Sequence, residues 1–432
     1  MSERISVKFS DVERHPLFEV KNVDTVLKGF HVRQRVDIFA QIMPLVNVQA
    51  DKVEMDIDKA KMGGMTPTVA RGAETPVFRQ GGRGKLAWES AEFREKVVVT
   101  EDDIVKLRKL GTMNELLQAR DVLDKDYRSI SDRLARRIEW MRRQTLFDNQ
   151  VVAPDQNGVM VNLLTINHPS FLRPTFGTLW SDTVNADPMD DMQIIVRDFL
   201  ISSSYDAASV WTPIDALRIA GKTAKFQGYA QNNLQVFKGT QKEVAGIISL
   251  YIAGVTVEEK PQHMPFTSSI IADAAAGQPA VVLEDVEQLV AGDKVIISNF
   301  TNQWQYTVLS VAGNTVTFTS NLTDAVEAGF MTMYSKSLIP TDRLLVIGKA
   351  ATPIDMTGSE PGAERGLEHI DKPFDVCSTL SGYTNLNNRQ PGLFSKLRDL
   401  TDGDPPSIEH IIGIRALPRV HYINSWMAPK YI

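Results

Sequence analysis

The stretch Phe93-Arg94-Glu95-Lys96-Val97-Val98-Val99-Thr100-Glu101-Asp102-Asp103-Ile104 carries the change of backbone on which the fold turns. Its first half is rich in β-branched residues and reads as a strand. Thr100 then supplies a hydroxyl suited to capping a helix. Glu101, Asp102 and Asp103 follow it as acids in the first turn, where unpaired N–H groups favour negative charge. A strand therefore passes directly into a short helix, which Gly111 ends. Thr112-Met113-Asn114-Glu115 next has the pattern of a capping box. From there Met113, Leu116, Leu123, Tyr127, Ile130, Leu134, Ile138 and Met141 recur at steps mostly of three or four. That spacing predicts one long amphipathic helix to about Phe147. Its opposite face is charged, through Arg120, Asp124, Asp132, Arg136 and Arg143.

Upstream, residues 55–100 combine Gly63-Gly64, Gly72, Gly81-Gly82 and Gly84 with Arg71, Glu74, Arg79, Arg83 and Lys85. Lys85 to Val99 alternates imperfectly and reads as a returning strand. The segment is expected to form a long two-stranded ribbon with a glycine-rich tip. An isolated two-stranded ribbon is barely stable in water, so it needs a neighbouring molecule to lie on. Trp88 and Phe93, among mixed charges that include Glu89, would bury an apolar face there while Arg and Glu pairs set the register. The residues before it, 1–54, read as an arm with a helix from roughly Val23 to Met43 and then an extended exit.

Downstream, Pro188-Met189-Asp190-Asp191 opens a helix through Leu200. Ala208 to Pro213 is a short strand, Ile214 to Phe226 a second helix, and Val244 to Val257 is strand-rich. From about Pro265 to Lys336 the texture becomes all-β, with strands at Ala280 to Leu283, Asp293 to Ser298, Gln305 to Val311 and Thr315 to Thr319. Ala312-Gly313-Asn314 makes the turn of a hairpin. A strand at Arg343 to Ile347 resumes the α/β pattern. The tail is loop-rich from about Gly366, then strand-like at Ile408 to Ile414 and Val420 to Ile423.

The 432 residues are 43% hydrophobic and 23% charged, which disfavours a disordered or membrane class and implies two or three domains. A net charge of −6 does not suggest wholesale nucleic-acid binding. The single cysteine, Cys377, rules out an internal disulfide framework or a cysteine-rich zinc site and reads as a buried or half-buried thiol. No signal peptide or spanning apolar run is evident, so the protein is expected in a cytoplasm or released by lysis.

Catalytic motifs are missing. Gly221-Lys222-Thr223 lacks the second glycine of a phosphate loop, because Ala216 stands there. Gly81-Gly82-Arg83-Gly84 sits in no βαβ unit and reads as a loop tip. The seven histidines show no HExxH spacing, and Glu409-His410 reads as a polar pair at a sheet edge. Asp402-Gly403-Asp404-Pro405-Pro406 lacks the ligand series of a calcium loop. No enzyme activity, cofactor or metal is expected.

The order of these parts resembles the Hong Kong-97-type fold of tailed-phage capsid proteins. The junction quoted at the outset is similar to the ribbon-to-spine passage of the lambda-type (E-family) major capsid proteins. Arg343-Leu344-Leu345-Val346-Ile347-Gly348, Gly403-Asp404-Pro405, Ile411 to Pro418 and Trp426 follow that group's ending. The resemblance implies an α+β chain. It would comprise an N-terminal arm (1–54), an extended E-loop (55–100), a peripheral domain with the spine helix (101–187) and an axial α/β domain (188–264, returning at 337–369). An inserted all-β domain (265–336) and C-terminal strands (370–432) complete it. The insert departs from the minimal pattern; a similar one, with a turn like Gly292-Asp293-Lys294, occurs in coat proteins of certain short-tailed phages.

The function implied is a major capsid protein that self-assembles, as hexamers and pentamers, into the icosahedral head of a tailed phage and encloses its double-stranded DNA. Scaffolding and portal proteins would be partners, a decoration protein is a further candidate, and no membrane is involved. The places implied are the virion capsid and, during assembly, the host cytoplasm. Arg71, Glu74, Arg79, Arg83, Lys85, Trp88, Glu89 and Phe93 would be the contact residues of the E-loop. Lys85 with Asn385, Asn387 or Asn388 offers the residue types of the cross-link some relatives form, but the lambda-type group does not rely on it. An encapsulin-like shell protein or another virion component stands as the alternative.

Overall fold

The computed structural model describes residues 38–48, 52–58, 83–89, 91–100, 113–154, 159–203, 205–233, 239–252, 255–260, 263–284, 286, 289–298, 302–349, 374–379, 391–400 and 407–432. Strands β1 (Leu45–Val48), β2 (Lys52–Asp58), β3 (Arg83–Glu89) and β4 (Ala91–Thr100) precede a 35-residue helix, Met113–Phe147. The hairpin β5 (Gln150–Pro154) and β6 (Met160–Thr165) follows, then β7 (Asp206–Thr212) and β8 (Thr256–Glu259) with helices around them. Next come β9 (His263–Ala272), β10 (Ala280–Leu283), β11 (Lys294–Ser298), β12 (Gln303–Ala312), β13 (Thr315–Phe318) and β14 (Met331–Ser337). The chain closes with β15 (Leu345–Lys349), β16 (Phe374–Thr379), β17 (Leu393–Leu400), β18 (Ser407–Val420) and β19 (Trp426–Met427). Two compact units result, one from Met1–Arg142 with Ile354–Ile423, the other from Arg143–Pro353 with Asn424–Ile432.

In the first unit β18 is the axis. β4 runs antiparallel along it from Ala416 to Ser407, and β17 lies on the other flank from Ile414 to Ser407. Past the start of β17, β16 takes over that flank and carries β1 outside it as a parallel neighbour. The strand expected at 408–414 is longer, a 14-residue strand Ser407–Val420, whereas the piece expected at 420–423 leaves the sheet after Val420 and bends into a turn. Pro418 fits within the strand because β4 has ended by Ala416, leaving β16 as the one neighbouring strand there. Glu409 and His410, expected at a sheet edge, sit instead between β17 and β4, at 7% and 1% exposure.

The long helix covers this sheet as its period predicts. Tyr127, Ile130, Leu134, Ile138 and Met141 are buried, and the Tyr127 ring lies 5.6 Å from that of His410. A second contact is charged. Arg133 Nε meets Glu95 Oε1 at 3.2 Å, and one turn later the Arg137 guanidinium stands 5.9 Å from the Phe93 ring centroid. The chain entering the unit is pinned to the same helix. Phe39 and Met43 are fully buried, and Phe39 N–H donates to Glu139 Oε1 at 2.7 Å. Glu139 Oε2 in turn accepts from Arg142 Nη1 at 2.9 Å, both residues being almost wholly buried. Of the helix expected over Val23 to Met43, the described part is a single 3-10 turn, Phe39–Gln41. Pro44 disfavours a helical residue before it, and β1 starts at once. The short helix expected after Thr100 lies outside the described residues.

The second unit holds a four-stranded sheet in the order β19-β15-β7-β8, with β7 and β8 parallel and the other pairs antiparallel. A parallel pair needs a crossover, and the chain between β7 and β8 provides helices. Here the structure corrects two expectations. The helix expected over Ile214 to Phe226 is two, Ile214–Ala220 and Ala224–Asn233, broken at Gly221, whose N–H returns to Leu217 O. The stretch from Val244, expected as strand, is helix Gln241–Tyr251. Thr240 and Glu243 form a complete capping box, and Val244, Ala245, Ile247 and Ile248 are buried at helical spacing. The opening helix runs Pro188–Ser203.

The unit's last nine residues thread between 172–180 on one side and 342–348 on the other. Phe176 N–H and Trp180 N–H donate to Lys430 O and Tyr431 O, while Leu344 N–H and Gly348 N–H donate to Pro429 O and Ser425 O. Trp426, fully buried, stacks on His168 at 4.2 Å and donates its indole N–H to Leu146 O.

The six strands between the two halves of this sheet close into a barrel, in the order β10-β13-β12-β11-β14-β9. Ala312 pairs with Thr315, so Gly313 and Asn314 make a two-residue hairpin turn, and Gly313 takes the positive φ of 56° that such turns require. The interior is filled by Phe266, Ile270, Val295, Ile297, Tyr306, Val316, Phe318 and Tyr334. β9 and β14, unremarked in the sequence, supply its longest paired register.

Candidate assembly surface

β2 and β3 form a two-stranded sheet that pairs with no other strand among the described residues. The Cα register sets Lys52 opposite Glu89, Asp56 opposite Lys85 and Asp58 opposite Arg83, with Glu54 opposite Ala87. The alternate positions are Val53 opposite Trp88, Met55 opposite Leu86 and Ile57 opposite Gly84. Residues paired across two strands share a face, and the face changes at each step along a strand. The ribbon therefore has one face of charged positions, three of whose pairs oppose unlike charges, and one face of apolar positions. The alternation Lys52-Val53-Glu54-Met55-Asp56-Ile57-Asp58 is the signal for the first strand, and the boundary set at residue 54 cut through it.

Both roots of the ribbon lie in the sheet of the first unit. β1 ends at Val48, beside Thr379 of β16, and β4 begins at Ala91, opposite Ala416 of β18. The returning strand expected as one piece is two. β3 stays with β2, whereas β4 joins the core sheet.

The expected contact residues divide accordingly. Arg83, Lys85, Trp88 and Glu89 are on β3. Arg71, Glu74 and Arg79 lie outside the described residues, as do Asn385, Asn387 and Asn388. Phe93 is half-buried on β4 beneath Arg137 of its own chain. On the long helix, Arg120 and Asp124 are placed by backbone. Asp132 and Arg136 are half-buried. Arg143 is engaged within its own unit, with Asp148 Oδ2 at 2.5 Å and Ser337 O at 3.2 Å. Arg133 and Arg137, which the reading of the charged face passed over, both reach β4.

Several chemistry-bearing groups elsewhere are buried or end a helix. Burial, aided by Arg173, takes the His168 imidazole down to about 3, and burial takes His410 down to about 4, so both are neutral in ordinary buffers. Cys377 is a buried free thiol. Gly221-Lys222-Thr223 is a helix end, with Thr223 Oγ1 donating to Ala220 O. A groove of about 920 Å3 between helix Pro188–Ser203, β7 and the end of helix Gln241–Tyr251 includes none of the expected site residues. Among the described residues no group of three metal-ligating side chains occurs, and no helix is long and apolar enough to cross a membrane.

Residues 40–259 match the profile of the family described as phage major capsid protein E. No curated protein matches the chain. Among solved structures, it is similar to a prophage protein assigned to the capsid in E. coli CFT073, at 10% identity and a TM-score of 0.49, over 96% of this chain and 99% of that one. A phage-related protein of Bordetella bronchiseptica RB50 gives 8% and 0.42, over 95% and 96% of the two chains. The SrpI encapsulin of Synechococcus elongatus PCC 7942 gives 9% and 0.35, over 95% of each.

Proposed function

Because this chain belongs to the phage major capsid protein E family, we propose that many copies of it close into the icosahedral head of a tailed phage around double-stranded DNA, each subunit laying its β2–β3 ribbon on a neighbour. The observation that carries this reading is the two-faced ribbon. Its Val53, Met55, Ile57, Leu86 and Trp88 positions share a face, and the ribbon pairs with no other strand among the described residues. A lone ribbon of that composition is stable only when something buries the apolar side. In a shell built from identical chains, the surface always at hand is another subunit. The unlike charges at Lys52–Glu89, Asp56–Lys85 and Asp58–Arg83 fix the ribbon's own register.

The division of labour follows from the fold family. The ribbon and the N-terminal arm serve as overlap elements, the long helix as the spine of a peripheral domain, and the β7–β8 sheet with its helices as the axial domain around the fivefold and sixfold centres. The barrel is an insertion in that plan. Closed symmetry repeats each contact many times, so modest interfaces give a stable particle. Scaffolding and portal proteins complete the assembly. The family profile supports a phage head over an encapsulin shell.

The test is deletion of residues 72–86. The shortened chain should remain soluble and form no closed shells under negative-stain microscopy, while the full chain forms them. Normal particles from the deletion would refute the overlap role.

A further inference from the structure

The sheet of the first unit ends in a bare strand. β17 pairs with β18 from Leu393 to Leu400, and no strand among the described residues takes its other flank. The register shows why that lane is open. β1 lies outside β16, which pairs with β18 at 416–420, and it runs towards the stretch 407–414 that β17 pairs. Carried straight on, the chain would line β17. It leaves the lane instead, and β2 pairs with β3 alone, so the outer flank of β2 is bare as well. An unpaired flank is a row of backbone donors and acceptors that a second strand satisfies.

The two bare strands match in pattern. On β17, alternation sets Lys396 and Arg398 on one face and Leu397 on the other. Arg398 stands opposite Glu409, which already accepts from Lys96, whereas Lys396 is exposed and stands opposite Ile411. On β2, Glu54 and Asp56 are on one face and Met55 on the other. Asp56 has Lys85 across the ribbon, whereas Glu54 has Ala87. Each strand thus brings one charge with no opposite charge across from it in its own sheet, and the two differ in sign. With Met55 set beside Leu397, the acids fall beside the cations in either direction. Parallel strands pair Glu54 with Lys396 and Asp56 with Arg398; antiparallel strands exchange the partners. The faces agree too. The ribbon's apolar positions continue the side on which the long helix meets His410, and its charged positions continue the side of Lys96 and Glu409.

We propose that β2 of one copy adds to β17 of the next, so that the ribbon extends its neighbour's sheet by both of its strands. The inference rests on the shell reading above, since that reading lays the ribbon on another subunit. It names the strand that receives it.

The test uses full chains with one new cysteine each. Glu54→Cys and Lys396→Cys, co-expressed and assembled, should give a dimer-sized band with a short bismaleimide, because the two positions are directly opposite or diagonal neighbours in either direction. Each variant alone should run as monomer, the native Cys377 being buried. Glu54→Cys with Asp324→Cys, exposed on a barrel loop, should do the same. Monomer from the E54C and K396C mixture in intact shells overturns the proposal, as does an equally strong band from the E54C and D324C mixture. One chain carrying both E54C and K396C tests for a ribbon folded back on its own sheet. It should form dimers and longer chains; a fast-migrating monomer alone overturns the contact between copies. Hydrogen exchange of the unaltered chain covers a variant that fails to fold. The faster-exchanging amides of 393–400 should slow on the order of tenfold on assembly, and equal rates overturn the strand addition. Microscopy of the same samples keeps the two readings apart. Shells with neither cross-link nor slowed exchange refute the strand addition and leave the capsid function standing, whereas a parent chain that forms no shells removes both.

Discussion

At Gly413 the need for glycine is steric. A Cβ there would stand 2.6 Å from Phe93 O, 2.7 Å from Phe394 Cζ and 2.9 Å from Arg94 Cβ, with φ in no unusual region. Backbone on the β4 side and a buried ring on the β17 side leave no room to yield. Gly413→Ala should cost on the order of 1–3 kcal/mol, seen as a fall in melting temperature. Gly228→Ala, where a Cβ meets nothing within 4 Å, should cost nothing. A second residue-scale consequence concerns acid. His410 takes up a proton near 6.5 when exposed, but burial in the sheet delays this to about 4 in the folded chain. Between those values the unfolded state binds a proton that the folded state refuses. Stability is therefore complete above pH 6.5 and declines as pH drops towards 4. Melting curves at pH 7 and 4.5 should differ less for His410→Gln than for the parent; equal differences would remove His410 from the account.

At the level of elements, the capping box of helix Gln241–Tyr251 is a local test. Thr240→Ala removes the acceptor for Glu243 N–H and should cost about 1 kcal/mol. Circular dichroism melts would register it, and an unchanged melt would mean that packing of Val244 and Ile248 alone fixes the helix. This element also shows where sequence reading fails. Val244, Ile247, Ile248 and Val255 favour strands as residue types, and that composition hid the spacing 244, 245, 247, 248 and the Thr-x-x-Glu before it. The long helix was legible because its period runs uninterrupted for 35 residues. The hairpin at Gly313 was legible because only a two-residue turn explains Ala-Gly-Asn between β-branched runs. β16 and β17 were not, since each owes its pairing to β18, a partner distant in sequence. On the candidate surface, alternation marked Lys85 to Glu89 as strand, while Arg83, read as part of the glycine-rich tip, is also on β3. The assignment of Phe93 to β4 depended on a pairing with Ile414 that no local pattern encodes.

At the scale of the molecule, both units are discontinuous. The backbone passes between them at 142–143, 353–354 and 423–424. The second unit is completed by its final nine residues, and Trp426 is their anchor. Trp426→Ala should cost roughly 3–5 kcal/mol. Hydrogen exchange should then show β15 and β7 losing protection while β17 and β18 keep theirs; uniform loss throughout would mean that the two units melt as one. Interleaving has a further consequence for a chain that meets proteases. A cut near residue 353 separates the polypeptide into two lengths, yet the distal one keeps β16 and β18 zipped against β1 and β4 and leaves its terminus woven beside β15. Such a nicked subunit would stay in one piece until denaturant is added, behaving as a split protein whose halves have already found each other.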